Sequence, residues 1–171
     1  MAAADTSQER RYISCADTAK LVRKALKAEF PGQKFSVRSS TYAGGASIHV
    51  NWIDGPSESA VESVTCLYQG ASFDGMTDMA SYHNALLTGE DGMPELVHFG
   101  ANYVIGQRRI SDEAEAKLVA EVEALIGEFR KTDRIPVYVD DLGGITLLSG
   151  STEWATDVLY RMSVRRAGDP R

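Results

Sequence analysis

Two short segments that alternate apolar and polar residues, 34–40 and 47–53, constrain this sequence most. They are separated by residues 41–46, which include two glycines, and this arrangement is typical of a β-hairpin. Because successive side chains of a strand point to opposite faces, a shift of one residue would exchange the two faces. One predicted face is apolar and carries Phe35, Val37, Ile48, Val50 and Trp52. The other face is polar and carries Ser36, Arg38, Ser40, Ser47, His49 and Asn51.

Four segments show the apolar spacing of amphipathic helices. The first spans about residues 14–30, where Ser14 and Asp17 form a start resembling a capping box and Pro31-Gly32 supplies the stop. The others span about 57–68, 112–129 after Ser111 as the cap, and 151–164. Leu67 is predicted on the buried side of the second helix, and Trp154 is expected to pack from the fourth.

Further strands are predicted after the hairpin. Residues 97–105 alternate, with Phe99, Tyr103 and Ile105 expected to point inward. Segments 135–139 and 145–148 flank a Gly-Gly turn and are expected to pair. Residues 70–94 are the least regular part, and a short helix over about 79–87 is one interpretation.

This order of elements predicts an α+β fold. A tight hairpin early in the chain favours an antiparallel or mixed sheet of about 4–5 strands with about four helices, mainly on one face. A chain of 171 residues fits one domain. We expect that domain to span 11–164, between flexible tails at 1–10 and 165–171.

Charge is distributed unevenly along the chain, whose net charge is −6. Residues 1–50 carry eight Lys or Arg against four Asp or Glu, whereas residues 51–100 carry eight acidic residues and no Lys or Arg. Such polarity favours a dipolar surface that orients a charged partner. The alternative is that the two segments mix in space.

Several classes of protein have no support in the sequence. It lacks the phosphate-binding loop, the dinucleotide fingerprint, the zinc-protease motif and the nucleophile elbow. No apolar run is long enough for a membrane span, and no secretory signal is evident. Cys15 and Cys66 belong to no paired motif and predict two reduced, largely buried thiols in a cytoplasmic protein. We therefore predict no catalytic set, cofactor or metal, and the spacing of Asp74, Asp78 and His83 matches no ligand motif.

Three surfaces are candidates for binding. The first helix bears a stripe of four cations that suits phosphates, consisting of Lys20, Arg23, Lys24 and Lys27. The polar hairpin face offers directional hydrogen bonds through Arg38, His49 and Asn51, and His98 and Asn102 would extend it if they point the same way. The acidic segment offers carboxylates, of which the candidates are Asp74, Asp78, Glu90 and Asp91. For each surface the alternative is an ordinary solvated face, and turn aspartates such as Asp54 are expected to bind backbone N–H groups.

The residues around the hairpin also resemble a known family. The pattern consists of Tyr12-Ile13-Ser14, Phe30-Pro31, Phe35-Ser36-Val37-Arg38-Ser39-Ser40, Tyr42, Gly44-Gly45-Ala46-Ser47-Ile48, Trp52, Asp54-Gly55-Pro56 and Phe73-Asp74-Gly75-Met76. Over residues 11–107 it resembles the large polyvalent protein-associated domains, type twenty-nine. The resemblance implies a cytoplasmic protein of phages, plasmids or conjugative elements, whose neighbouring domains often counter restriction or CRISPR defence. It implies no catalytic residues.

Three functions remain open at this point. The leading hypothesis is an anti-defence inhibitor, of the anti-CRISPR or anti-restriction type, whose carboxylates occupy a phosphate-binding groove on a host nucleic-acid-handling complex. The second is a nucleic-acid-binding module that uses the basic helix and the hairpin face. The weakest is a hydrolase or transferase that uses His49 with Asp54 or Asp74.

Overall fold

The fold was established from a computed structural model. It describes residues 10–74, 76, 79–89 and 92–167, without the side chains of Phe73 and Asp74. In chain order the elements are β1 (Arg11–Ile13), α1 (Cys15–Glu29), β2 (Phe35–Tyr42), β3 (Gly45–Ile53), α2 (Glu58–Thr65), a 3-10 turn (Cys66–Tyr68), β4 (Ala71–Asp74), β5 (Met79–Tyr82), β6 (Ala85–Thr88), β7 (Pro94–Phe99), β8 (Tyr103–Arg109), α3 (Asp112–Ile126), β9 (Arg134–Ile135), β10 (Val137–Val139), β11 (Ile145–Leu147), β12 (Glu153–Trp154) and α4 (Ala155–Arg166).

The α+β prediction is confirmed. The described residues form four α-helices and small mixed or antiparallel sheets of two or three strands each. The sheets are therefore smaller and more numerous than the single sheet of about 4–5 strands that was predicted. The chain divides into two compact units. The first unit consists of Met1–Asn51 and Glu62–Gln107, and the second consists of Trp52–Val61 and Arg108–Arg171. This division leaves the single-domain prediction untested, because two compact units can still unfold as one cooperative domain.

Helix α1 begins as predicted. The Asp17 N–H donates to Ser14 Oγ, and the Ser14 hydroxyl donates to Asp17 Oδ2 at 2.7 Å. The first bond satisfies a backbone N–H that a helix start leaves without an intrahelical partner, and the second fixes the Ser14 side chain in the capping position. The buried side of α1 consists of Cys15, Thr18, Ala19, Val22 and Leu26.

The hairpin is confirmed, with a shorter loop than expected. Strand β2 ends at Tyr42 and β3 begins at Gly45, so the loop consists of Ala43 and Gly44 alone. Gly44 adopts a positive φ of 95°. Glycine tolerates this conformation without a steric penalty, so the chain reverses in two residues. The apolar face is buried as predicted at Val37, Ile48, Val50 and Trp52. Ser47 contradicts the predicted polar face, because it is buried.

The 3-10 turn after α2 places its two large side chains in different surroundings. The Tyr68 ring lies 5.5 Å from the Phe99 ring. Leu67 is 67% exposed, contrary to the predicted apolar stripe. The tighter 3-10 winding rotates side chains by about 120° per residue rather than 100°, which shifts the stripe.

The described residues include the strands Met79–Tyr82 and Ala85–Thr88 where a short helix over about 79–87 was considered. Strand β5 pairs antiparallel with β4, and β6 pairs antiparallel with β7. Strand β1 adds to the other edge of β7 in parallel, giving the order β1-β7-β6. Short apolar runs do not distinguish helix from strand by periodicity, and here the pairing partners decide.

The predicted strand over residues 97–105 is two strands, β7 and β8. Gly100 interrupts them: its N–H donates to the Ile13 carbonyl, and an added Cβ would collide with the Tyr12 hydroxyl. The interruption changes the alternation, so that Val104 is 8% exposed and Ile105 is 47% exposed. The inward prediction was correct for Phe99 and wrong for Ile105.

The second unit has its own core between α3, α4 and short strands. Ser111 caps α3 by accepting from the Ala114 N–H, and β10 pairs antiparallel with β11, both as predicted. The buried cluster consists of Leu118, Val122, Ile135, Val137, Val139, Ala155, Val158, Leu159 and Met162. Trp154 does not join it, because this residue is the cap of α4 and is 49% exposed. Helix α4 continues to Arg166, two residues into the segment predicted to be a tail.

Candidate nucleic-acid interface

The four cations of α1 lie where the helical spacing places them. Because Val22 and Leu26 occupy the buried side, the cations fall on the solvent side. All four side chains are exposed, namely Lys20, Arg23, Lys24 and Lys27.

Two of these cations have partners within the chain. Lys20 Nζ lies 2.7 Å from Asp17 Oδ1, and this bond, together with the Ser14 hydroxyl, holds the pKa of Asp17 below its usual value. Arg23 Nη2 donates to the Val37 carbonyl at 2.7 Å. Within the described part of the chain, Lys24 and Lys27 have no ion-pair partner. These two lysines are the cations most available to a phosphate.

The bond from Arg23 joins the basic helix to the hairpin. Strand β2 is the edge strand of the sheet β2-β3-β8, so its outer carbonyls have no strand partner. Arg23 binds one of these carbonyls, at the residue before Arg38, whose side chain is exposed. We call the exposed cations of α1 together with Arg38 the basic surface. Lys34, exposed just before β2, is a further cation that the sequence analysis did not include.

The polar hairpin face is only partly as predicted. His49 is exposed, with Nε2 3.2 Å from Ser47 Oγ, and Asn51 is half-buried. The extension by two further residues was wrong. His98 lies on β7 in the separate sheet β1-β7-β6, and Asn102 binds Ala46 through both its side-chain oxygen and its backbone N–H.

An exposed aromatic cluster in the first unit was missed from sequence. Tyr12 on β1 pairs with His98 on β7, and their rings stack with centroids 6.1 Å apart. The Tyr82 ring lies 6.2 Å from His98, and His98 Nδ1 donates to the His83 carbonyl. Tyr12 and Tyr82 remain 65% and 69% exposed. No local pattern predicts this cluster, since it depends on parallel pairing of strands that are distant in sequence.

The four candidate carboxylates of the acidic segment lie largely outside the residues that the structure describes. Asp78, Glu90 and Asp91 lie outside the described residues, as does the side chain of Asp74 at the end of β4.

Three other carboxylates of residues 51–100 have structural partners. Asp54, which adopts a φ of 55°, accepts the Ser111 N–H as the turn prediction expected. Glu58 accepts the Arg108 N–H at 2.9 Å, and Glu95 pairs with Arg11 at 3.2 Å. These three carboxylates are therefore engaged within the chain, and none of them is among the four candidates for contact with a host complex.

Two of the histidines hydrogen-bond serine side chains. His49 bonds to Ser47, and His83 bonds to Ser72 at 2.7 Å. Among the residues that the structure describes, no three His, Cys, Asp or Glu side chains are placed to hold a metal ion.

Cys15 is buried as predicted, whereas Cys66 is exposed, and both are free thiols. Over the same part of the chain, no helix is both long and apolar enough to cross a membrane.

The chain is an α+β protein whose described surface offers exposed cations and aromatic rings. Comparison with protein families then identifies it: residues 13–111 match the model of large polyvalent protein associated domain 29, and the chain belongs to that family. The match confirms the resemblance stated from sequence, and the family is associated with mobile genetic elements. Comparisons with curated proteins and with solved structures give no match.

Proposed function

We propose that this protein is an accessory binding protein of a mobile genetic element and that it contacts nucleic-acid phosphates through the basic surface. Family membership supports the mobile-element association. The observation that carries the nucleic-acid part is the exposure of all four cations of α1 on its solvent side, with Lys24 and Lys27 free of any ion pair among the described residues. Contacts from Lys and Arg to phosphates supply most non-specific affinity for nucleic acid.

The acidic net charge does not prevent phosphate binding at the basic surface. At physiological salt, exposed charges more than about 8–10 Å apart are largely screened. A phosphate at the basic surface therefore experiences mainly the nearby cations, of which Lys24 and Lys27 have no described carboxylate partner. The net charge of −6 lowers long-range attraction and predicts modest affinity.

The aromatic cluster of the same unit favours a single-stranded ligand. Exposed tyrosine rings stack on unpaired bases with little preference for sequence, and such stacking contributes about 1–3 kcal/mol per base. Tyr12 and Tyr82 are the rings with the exposure that stacking requires.

Fluorescence anisotropy with a labelled single-stranded oligonucleotide tests the proposal. We expect binding at low salt and a logarithmic affinity that falls linearly with the logarithm of salt concentration. Each phosphate contact contributes about −0.7 to this slope for single strands. The triple variant Lys20→Gln, Lys24→Gln, Lys27→Gln should flatten the slope by about 2.

A control variant with the same change in charge lies in the second unit. Arg109→Gln, Lys117→Gln, Arg130→Gln also removes three exposed cations, and binding should change little. Absence of binding at low salt, or equal loss in both triple variants, would contradict the proposal.

A second candidate is an anti-defence inhibitor of a host nucleic-acid-handling complex. It is favoured by the charge pattern, since residues 51–100 carry eight acidic residues and no Lys or Arg. Affinity purification of the tagged protein from a bacterial host, with nuclease treatment and mass spectrometry, distinguishes the two. A stoichiometric defence protein that survives nuclease supports inhibition by direct contact, whereas material lost on nuclease treatment supports the basic surface.

The carboxylate version of this candidate has its own test. Charge reversal at Asp74, Asp78, Glu90 and Asp91 should abolish inhibition if these residues occupy a phosphate-binding groove. Retained inhibition in that variant would exclude the acidic segment as the contact.

A further inference from the structure

The second unit contains a cavity of about 290 Å³. Most of its lining residues, from Glu115 to Val164, follow the segment that matches the family. Ile110, Leu159 and Val164 supply the apolar part of its wall, and Leu159 belongs to the buried core of this unit. Because an apolar cavity of about 150 Å³ holds one benzene molecule, this cavity has room for an aromatic ring with a short alkyl chain.

The charged side chains that line the cavity balance one another. Glu58 and Glu115 are its two carboxylates, and Arg108 and Lys131 are its two cations. Glu115 Oε1 and Lys131 Nζ form an ion pair at 2.6 Å. Glu58 Oε1 accepts the backbone N–H of Arg108 at 2.9 Å, so the other carboxylate and the other cation belong to neighbouring parts of the wall. A wall without net charge favours neither an anion nor a cation.

The polar groups of the wall are largely engaged within the chain. Arg108 Nη1 donates to the Ser163 carbonyl at 3.2 Å, and the Ser163 hydroxyl donates to the Tyr160 carbonyl at 2.7 Å. Ser57 Oγ accepts the Ala60 N–H at 3.2 Å. Arg108 Nε has no partner among the described residues, but it is covered by protein, so a ligand does not reach it. A polar group of a ligand would therefore lose its bonds to water and gain few in return.

We infer that this cavity binds a small, neutral, apolar molecule of about the size of a benzene ring with a short alkyl chain. Removal of its apolar surface from water supplies the affinity. A charged analogue of the same size leaves water without gaining a free counter-ion, because Glu115 and Lys131 already pair with each other. The exposed residues of the wall, Thr156 and Tyr160, mark the side from which the ligand enters.

The experiment compares ethylbenzene with two charged analogues of similar size, benzylamine and benzoate, on the full chain at pH 7. Methyl NMR follows Ile110, Leu159 and Val164 as ethylbenzene is raised to about 1 mM and the charged probes to about 10 mM, the affinity range of small fragments. We expect ethylbenzene to shift these resonances and each charged probe to bind at least about tenfold more weakly. The buried methyl groups of Val22 and Ile48, in the first unit, should not shift.

Two pairs of variants test the position and the charge of the site. Thr156→Trp, at an exposed position of the wall, should block ethylbenzene, whereas Ala116→Trp, at an exposed position of α3 that does not line the cavity, is its matched control. Glu58→Gln leaves the wall with a net positive charge, so benzoate should bind several-fold more tightly than to the natural chain. Arg108→Gln leaves a net negative charge and should have the same effect on benzylamine.

Selective binding of ethylbenzene that is lost in Thr156→Trp and kept in Ala116→Trp supports the site. Equal or tighter binding of either charged probe by the natural chain would overturn it, as would full binding of ethylbenzene by a folded Thr156→Trp. Absence of methyl shifts with ethylbenzene at about 1 mM would also overturn it and would indicate a cavity that holds water alone.

Discussion

Arg166 near the end of α4 forms a two-bond ion pair with Glu121 on α3. Nη1 lies 2.9 Å from Glu121 Oε1, and Nη2 lies 2.7 Å from Oε2. The remaining donor, Nε, binds the Gly143 carbonyl in the turn between β10 and β11. One side chain thus holds together the two helices and the hairpin of the second unit.

Removing the charge of Glu121 should lower stability modestly. The bonds to Arg166 hold the pKa of Glu121 below its usual value. Because both side chains are substantially exposed, we expect Glu121→Gln to cost about 0.5–1 kcal/mol at pH 7. Thermal unfolding should show a decrease in Tm of about 1–4 °C, whereas Glu123→Gln on the same helix should cause almost none.

The same pair predicts a pH dependence. A carboxyl whose pKa is lowered in the folded state stabilises the fold above its unfolded pKa, about 4.3. That contribution is lost as the pH falls through the lower folded value. The difference in Tm between the natural chain and Glu121→Gln should therefore shrink below about pH 4. A constant difference down to pH 2 would show that the ion pair is not its source.

Variants of Arg23 and Lys24 should distinguish an effect on stability from an effect on oligonucleotide binding. Arg23→Gln removes the bond to Val37, so it should lower stability by about 1 kcal/mol and also weaken oligonucleotide binding. Lys24→Gln should weaken binding to a similar extent without changing Tm, because Lys24 has no partner in the described residues. Urea denaturation and anisotropy on the same samples check both effects, and equal stability of the two variants would contradict the role given to Arg23.

Two leucines test the boundary of the core. Leu26 is fully buried on α1, so Leu26→Ala should destabilise the protein by about 2–5 kcal/mol. Leu67→Ala should cost less than about 0.5 kcal/mol, because Leu67 is exposed. Chemical denaturation of both variants measures the contrast, and a large loss for Leu67→Ala would show that this side chain is covered in solution.

The two thiols should differ in reactivity. Burial raises the pKa of the Cys15 thiol, which keeps it protonated and shielded, whereas Cys66 is exposed. A thiol reagent at pH 8 should label one cysteine quickly in the folded protein and both in denaturant. Cys66→Ser should remove the fast phase, and fast labelling that persists in this variant would show that Cys15 is accessible.

Several elements could be predicted from sequence because their causes are local. The cap at Ser14, the cap at Ser111 and the alternating faces of the hairpin follow from hydrogen bonds and periodicity within a few residues. The exposed cations of α1 follow from the same periodicity. The predictions failed where a single glycine or a tighter helical turn altered the alternation, as at Ile105 and Leu67.

The candidate sites depended more on distant contacts. Parallel pairing of β1 with β7 brings Tyr12 to His98, across 86 positions of the chain. The same pairing assigns His98 to a different sheet from His49, which removed the predicted platform. The bond from Arg108 Nη1 to the Ser163 carbonyl likewise joins the end of β8 to α4, across 55 positions of the chain.

By itself, therefore, the sequence determined the α+β class, the helix starts, the hairpin, the family and the uneven charge distribution. These properties depend on residue order over short windows, where spacing and capping act directly. Only the tertiary structure decided which carboxylates are used internally, which rings cluster and where a cavity opens. Those outcomes depend on contacts between residues distant in sequence, and local pattern carries no information about which distant partners meet.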